Sequence, residues 1–196
     1  MSKVINKYSN QNIEFKTHIT TLKIHTKYIS CLTVLNDGRL VSGSTDKLII
    51  IYNKETYQPN IIIQEHDNDI KCLIQLNNGI LASCSHDKTI KLFNIKENEY
   101  ELIQTLNLHS DYINKILELS NNYLISCSYD KTIIFYIKED IKYKKDYSIS
   151  TSGNVNNIIE TKQNEIAYST WEEINFFDLN KRKNKSIIEN INAIWN

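Results

Sequence analysis

The sequence predicts an all-β chain made of tandem four-stranded antiparallel units, and two observations predict it. Three segments, His25 to Tyr52, His66 to Phe93 and His109 to Tyr136, align with one another. Their histidines lie 41 and 43 residues apart, and each precedes an aspartate (Asp46, Asp87, Asp130) by 21 residues. Each segment also carries the same succession of short apolar runs and turns, with room for four strands in about 40 to 45 residues.

The first strand of each unit follows its histidine. Ile29, Leu32 and Val34, then Ile70, Leu73 and Leu76, then Ile113, Ile116 and Leu119 recur with a period near two, the mark of a half-buried strand. A turn comes next, written Asn36-Asp37-Gly38, Asn77-Asn78-Gly79 and Asn121-Asn122-Tyr123. Asn and Gly accept the positive φ that a tight hairpin demands. The second strand runs through Leu40-Val41-Ser42, Leu81-Ala82-Ser83 and Leu124-Ile125-Ser126, where small residues let neighbouring backbones approach. The aspartate occupies the following turn, as Thr45-Asp46-Lys47, His86-Asp87-Lys88 and Tyr129-Asp130-Lys131. A β-branched third strand ends on an aromatic residue at Tyr52, Phe93 and Tyr136, and fourth strands are available at Ile61-Ile62-Ile63 and Leu102-Ile103-Gln104-Thr105.

A degenerate fourth unit follows, with Thr151 in the histidine place and Trp171 in the aspartate place. Residues 185–196 read as a partial fifth unit. The repeat cores are therefore about 25–53, 66–94, 109–137 and 151–178, inside one domain over 17–196, and the polar residues 1–16 are expected to form a loose terminus.

Composition narrows the function classes. At 196 residues, with 41% hydrophobic and 23% charged, the chain falls in the globular range, which excludes disorder of the whole. Lys+Arg 23 balances Asp+Glu 23, so no net field attracts nucleic acid or anionic membrane, and neither is an expected partner. The N-terminus lacks the apolar stretch of a secretory signal, and the longest apolar runs fall far short of the roughly 20 residues that span a bilayer. A cytoplasmic or nuclear location is expected. Four glycines in the whole chain do not make a phosphate-binding loop, so no nucleotide cofactor is expected. Cys31 matches Cys72 and Cys84 matches Cys127 by repeat position, which reads as buried thiols rather than disulfides; no regular ligand spacing suggests a metal. The basic clusters Lys142, Lys144, Lys145 and Lys181, Arg182, Lys183, Lys185 are expected in solvated loops.

On these residues the chain resembles the WD-repeat (WD40) family, whose units open on Gly-His and close on Trp-Asp. Here the corresponding pairs are Ile24-His25, Glu65-His66 and Leu108-His109, then Tyr52-Asn53, Phe93-Asn94 and Tyr136-Ile137. The resemblance implies a β-propeller of four-stranded antiparallel blades, here about four plus the start of a fifth. Since family members usually close with about seven, it implies an incomplete or open propeller, open to self-association or to completion by further blades. It also implies that His25 with Asp46, His66 with Asp87 and His109 with Asp130 hydrogen-bond inside their blades, and that the relay is shortened where Trp is replaced.

Ser, His and Asp are also the parts of an acyl-transfer triad. An active site is built once, however, and these sets occur three times, which favours a structural role. A hydrolase would need one set accessible in a cleft; a scaffold would bury all three. The resemblance implies partner binding through one ring face, at Tyr28, Ser30 and Thr45, at Asp69, Lys71 and His86, and at Tyr112, Asn114 and Tyr129, with Asn154, Asn156 and Thr170 from the fourth unit. The function expected is therefore a non-catalytic protein-interaction scaffold or adaptor, with other proteins or peptides as partners. The alternative is a substrate-recognition subunit of a ubiquitin ligase, although Phe93-Asn94-Ile95-Lys96 stands where one class of such receptors has Trp-Asp-x-Arg.

Overall fold

In the computed structural model, which describes residues 21–185, the alternating segments become four antiparallel sheets, each a meander of consecutive strands. Blade 1 holds β1 (Ile29–Val34), β2 (Leu40–Ser44), β3 (Ile49–Tyr52) and β4 (Pro59–Ile63). Blade 2 holds β5 (Ile70–Gln75), β6 (Leu81–Ser85), β7 (Ile90–Ile95) and β8 (Tyr100–Leu106). Blade 3 holds β9 (Ile113–Glu118), β10 (Leu124–Ser128), β11 (Thr132–Glu139) and β12 (Lys142–Ser150). Blade 4 holds β13 (Asn157–Lys162), β14 (Glu165–Ser169), β15 (Ile174–Asp178) and the two-residue β16 (Lys183–Asn184). The expected loose terminus at 1–16 and all but the first residue of the partial unit at 185–196 lie outside the described residues.

The blades stack face to face in chain order, and the stacking explains why inner strands such as β3, β6 and β10 are buried along their whole length. Ile70, Leu73, Leu81 and Phe93 of blade 2 pack on Leu35, Val41, Ile49, Ile51, Ile61 and Ile63 of blade 1. The equivalent face of blade 3 (Ile113, Ile116, Leu124, Tyr136) packs on Leu76, Ala82, Cys84, Ile90 and Leu92 of blade 2. Blade 4 offers Val155, Ile158, Ile166, Tyr168 and Phe177 to blade 3. Each junction is stitched at one end by the same bond, a turn amide donating to a side chain of the next blade. Asn36 N meets Gln75 Oε1 at 2.6 Å, Asn77 N meets Glu118 Oε2 at 2.7 Å, and Ser120 N meets Glu160 Oε2 at 2.8 Å.

The arc is open. Ile29 and Leu32, equivalent to the buried Ile70 and Leu73, are 50% and 61% exposed on blade 1, and Ile159 and Ile174 are exposed on the far side of blade 4. Val34 stands where Gln75 and Glu118 accept the stitching bond, and it has no acceptor to give.

Two local expectations need correction. In blade 3 the residue that takes the glycine place of the first turn is Asn122, at φ +67°, matching Gly38 at +89° and Gly79 at +85°, so the turn sits one residue earlier than Asn121-Asn122-Tyr123 implied. Lys142, Lys144 and Lys145 belong to strand β12 rather than a loop, and Lys183 belongs to β16. Strand β12 was missed because its alternation pairs lysines with Tyr143 and Tyr147, and a charged outer strand has no apolar run to announce it.

Candidate partner-binding face

The turn carrying each aspartate and the approach to the first strand meet at one end of the blade. His25 Nδ1 lies 2.9 Å from Asp46 Oδ2, His66 Nδ1 2.6 Å from Asp87 Oδ2, and His109 Nδ1 2.7 Å from Asp130 Oδ2. The other ring nitrogen of each histidine is 2.7 Å from a serine Oγ, of Ser42, Ser83 and Ser126 respectively. Each aspartate also takes the amide of the residue after the histidine (Thr26, Asp67, Ser110).

The three networks differ at their ends. Tyr52 and Tyr136 extend them by hydroxyl contacts to Ser42 at 2.9 Å and Ser126 at 3.0 Å, while Phe93 has no hydroxyl and the blade 2 network stops at Ser83. Thr89 and Thr132 each donate a 2.6 Å bond to their aspartate, where blade 1 has Leu48. Burial pushes the Asp87 carboxyl up, but His66, Thr89 and the Asp67 amide outweigh it and hold Asp87 well below the usual carboxylate range. Asp130 is lowered in the same way by His109 and Thr132 against the cost of burial. These sets have the connectivity of a hydrolase triad, but Ser42, Ser83 and Ser126 are buried to within 1%. A nucleophile must reach its substrate, and each of these hydroxyls is closed off and bonded within its own blade.

The same geometry fixes the loop face. A backbone bond ties each aspartate turn to the residue before the first strand: Thr45 N to Tyr28 O at 2.9 Å, His86 N to Asp69 O at 3.0 Å, and Tyr129 N to Tyr112 O at 2.9 Å. Each pair singled out in the sequence is therefore held side by side. Tyr28 is 85% exposed, and with Thr45 and Asp69 it lines a shallow depression beside His25, Thr26 and Lys27. His86 lies 3.9 Å from Asp69 and stacks on Tyr112, with ring centroids 4.3 Å apart. Tyr112 is 6.1 Å from Tyr129. Ser30, itself exposed, and the half-buried Asn114 reach across the junctions, donating to the carbonyls of Ile70 and Val155, and Lys71 at the equivalent place is half-buried.

A profile described as WD domain, G-beta repeat, matches residues 16–53, 57–94 and 100–136. The chain belongs to the WD40 repeat family. No curated protein matches it. WD40 domains generally mediate protein–protein interaction and are generally non-catalytic. The three matched WD40 repeats carry the three histidine–aspartate networks; the fourth blade, without them, lies beyond the matched segments.

That fourth blade supplies a residue the sequence reading left off the face. Trp171, in the turn where the other units carry their aspartate, is 72% exposed, and its ring lies 6.1 Å from that of Tyr129. Its signal in the sequence was a large aromatic in a turn that carries a small acidic residue in the other three units. The thiols are free as expected, three of them buried and Cys31 partly so. Cys72 and Cys84 are direct cross-strand neighbours within blade 2, not merely equivalents of thiols in other blades. Burial raises the Cys84 thiol, and the two sulfhydryls donate across the junction to blade 3, Cys72 to the Ile116 carbonyl and Cys84 to that of Ile113. Among the described residues no helix is long and apolar enough to cross a membrane, and no cluster of metal-ligating side chains occurs.

Proposed function

We propose that this WD40 chain is a non-catalytic interaction scaffold, residues 17–196 acting as one propeller domain that presents its aspartate-turn face to other proteins in the cytoplasm or nucleus. The observation that carries this reading is the contrast within single loops. The histidine and aspartate side chains of every set are at most 8% exposed and their serines are buried, while Tyr28, Tyr112 and Trp171 beside them stand exposed. Large exposed aromatics on a rigid frame lose little conformational entropy on binding, and tyrosine and tryptophan are enriched among interface hot spots. The four free thiols, with no disulfide among them, suit a reducing compartment.

The test is proximity labelling in cells with the wild type, with Tyr112→Ala/Tyr129→Ala, and with Tyr57→Ala as a control in the turn at the opposite end of the strands. The double variant is expected to fold and to lose a discrete set of labelled proteins that the control keeps. Identical protein sets for all three would reject the face.

A further inference from the structure

Four rings from three consecutive blades form one row on the loop face: His86 from blade 2, Tyr112 and Tyr129 from blade 3, and Trp171 from blade 4. The first two are stacked at 4.3 Å with planes 13° apart, and the next two steps are each 6.1 Å with planes tilted by 42° and 51°. The row is open to solvent at its far end, where Trp171 is most exposed.

Carboxylates flank the row at both ends, and Lys88 and Lys131 stand in the same turns as His86 and Tyr129. Asp69 and Asp111 reach His86 from two different loops, and Glu172 and Glu173 adjoin Trp171 in an exposed turn. Lys71 is the cation that acts on His86 beside them, and Lys88 spends its ammonium on the Ser110 carbonyl at 2.9 Å. Burial and Lys71 hold the His86 imidazole below its ordinary pKa, so near neutral pH it contributes a ring and not a cation.

We infer that this row binds an extended segment carrying arginine or lysine at alternate positions, one cation each at Tyr112, Tyr129 and Trp171, with His86 stacked behind Tyr112. The inference rests on the scaffold reading, because it names the chemistry of what the same face takes. Two physical matches select this occupant. Aromatic faces attract cations, most strongly at Trp and Tyr, and nearby carboxylates add to the attraction. Alternate residues of an extended strand lie about 6.6 Å apart on one side, close to the 6.1 Å ring spacing. The chain makes the same contact internally, since the Arg182 guanidinium sits 4.3 Å over the Tyr147 ring. Single-stranded nucleic acid also stacks on rows of rings, but it needs a basic groove for its phosphates, and here carboxylates stand in that place.

The experiment titrates the full chain with a short synthetic peptide bearing Arg at alternate positions, with an isomer carrying the same arginines in one block, with a Glu analogue and with oligouridylate. Binding is read by Trp171 fluorescence and by calorimetry. The alternating peptide is expected to bind most tightly and to weaken with salt. Trp171→Ala and Tyr112→Ala should each reduce affinity roughly three- to tenfold, with Trp171→Phe retaining most of it. Unchanged melting temperatures confirm that the variants fold. Equal affinity for the two Arg isomers, indifference to the ring substitutions, or preference for oligouridylate would each overturn the inference. If no peptide binds while the Tyr112/Tyr129 variant still loses its labelled proteins, the cationic assignment falls and the scaffold reading stands. If the alternating peptide binds through the rings while labelling is unchanged, the assignment stands and the scaffold reading falls.

Discussion

Replacing Asp87 by Ala tests whether the buried networks hold the blades together. The carboxylate accepts from His66 Nδ1 at 2.6 Å, the Thr89 hydroxyl at 2.6 Å, and the amides of Thr89 and Asp67 at 2.9 and 3.0 Å. His66 is 4% exposed, so its ring N–H cannot turn to water for a substitute partner. Removing one member of a buried pair of this kind costs about 3–5 kcal/mol, a large share of the roughly 5–15 kcal/mol that holds a domain folded. For a chain of this size, where about 1 kcal/mol moves the midpoint by about 2–4 °C, the melting temperature should fall by about 6–20 °C. Urea denaturation followed by tryptophan fluorescence measures the free energy, and a thermal melt followed by circular dichroism the midpoint. Asp46→Ala should cost less, because blade 1 has Leu48 where Thr89 donates. The pH dependence has a definite sign. The folded carboxyl titrates below its unfolded value, so its contribution is complete above the unfolded pKa of about 4 and is lost as pH falls through the folded one. The gap between wild type and Asp87→Ala should therefore be widest near neutrality and narrow in acid. An Asp87→Ala variant that unfolds with the wild type at pH 7 would refute the reasoning.

Phe93→Tyr should complete the blade 2 network, because Tyr52 and Tyr136 at the equivalent positions reach their serines at 2.9 and 3.0 Å; chemical denaturation is expected to show a gain of about 0.5–1.5 kcal/mol. Leu73→Gln should destabilise by several kcal/mol while Leu32→Gln, the same repeat position on the open face, changes little, since Leu73 is 4% and Leu32 61% exposed. Equal losses would mean that the first blade is covered. Gly43→Ala should cost about 1–3 kcal/mol even though Cys84 and Cys127 occupy the equivalent places, because a Cβ there would lie 2.6 Å from Ile70 Cγ2 and 2.8 Å from Cys31 Sγ. A variant as stable as wild type would show that the first junction yields.

The strand order of the first two units and the first turns were legible in the residues, and the resemblance they carry implied the histidine–aspartate pairings, because each depends on partners within one unit of about 40 residues. Asp87 and His66 flank strands of one sheet, and the alternation that forms that sheet also brings the two loops together. Strand pairing is local, so it repeats wherever the local pattern repeats. What the blades do to one another was not legible. The stitching by Gln75, Glu118 and Glu160, the tight place at Gly43 and the exposure of Leu32 all depend on which neighbour occupies a blade face, and identical repeat positions meet different neighbours. The aromatic row is the clearest case. His86, Tyr112, Tyr129 and Trp171 come from turns spread over 86 positions of numbering in three units, and only the stacking of consecutive sheets brings their rings to 4.3–6.1 Å. Trp171 in particular reads as an eroded repeat position in one dimension and becomes the exposed end of a binding row in three, because packing sums distances that sequence spacing does not record.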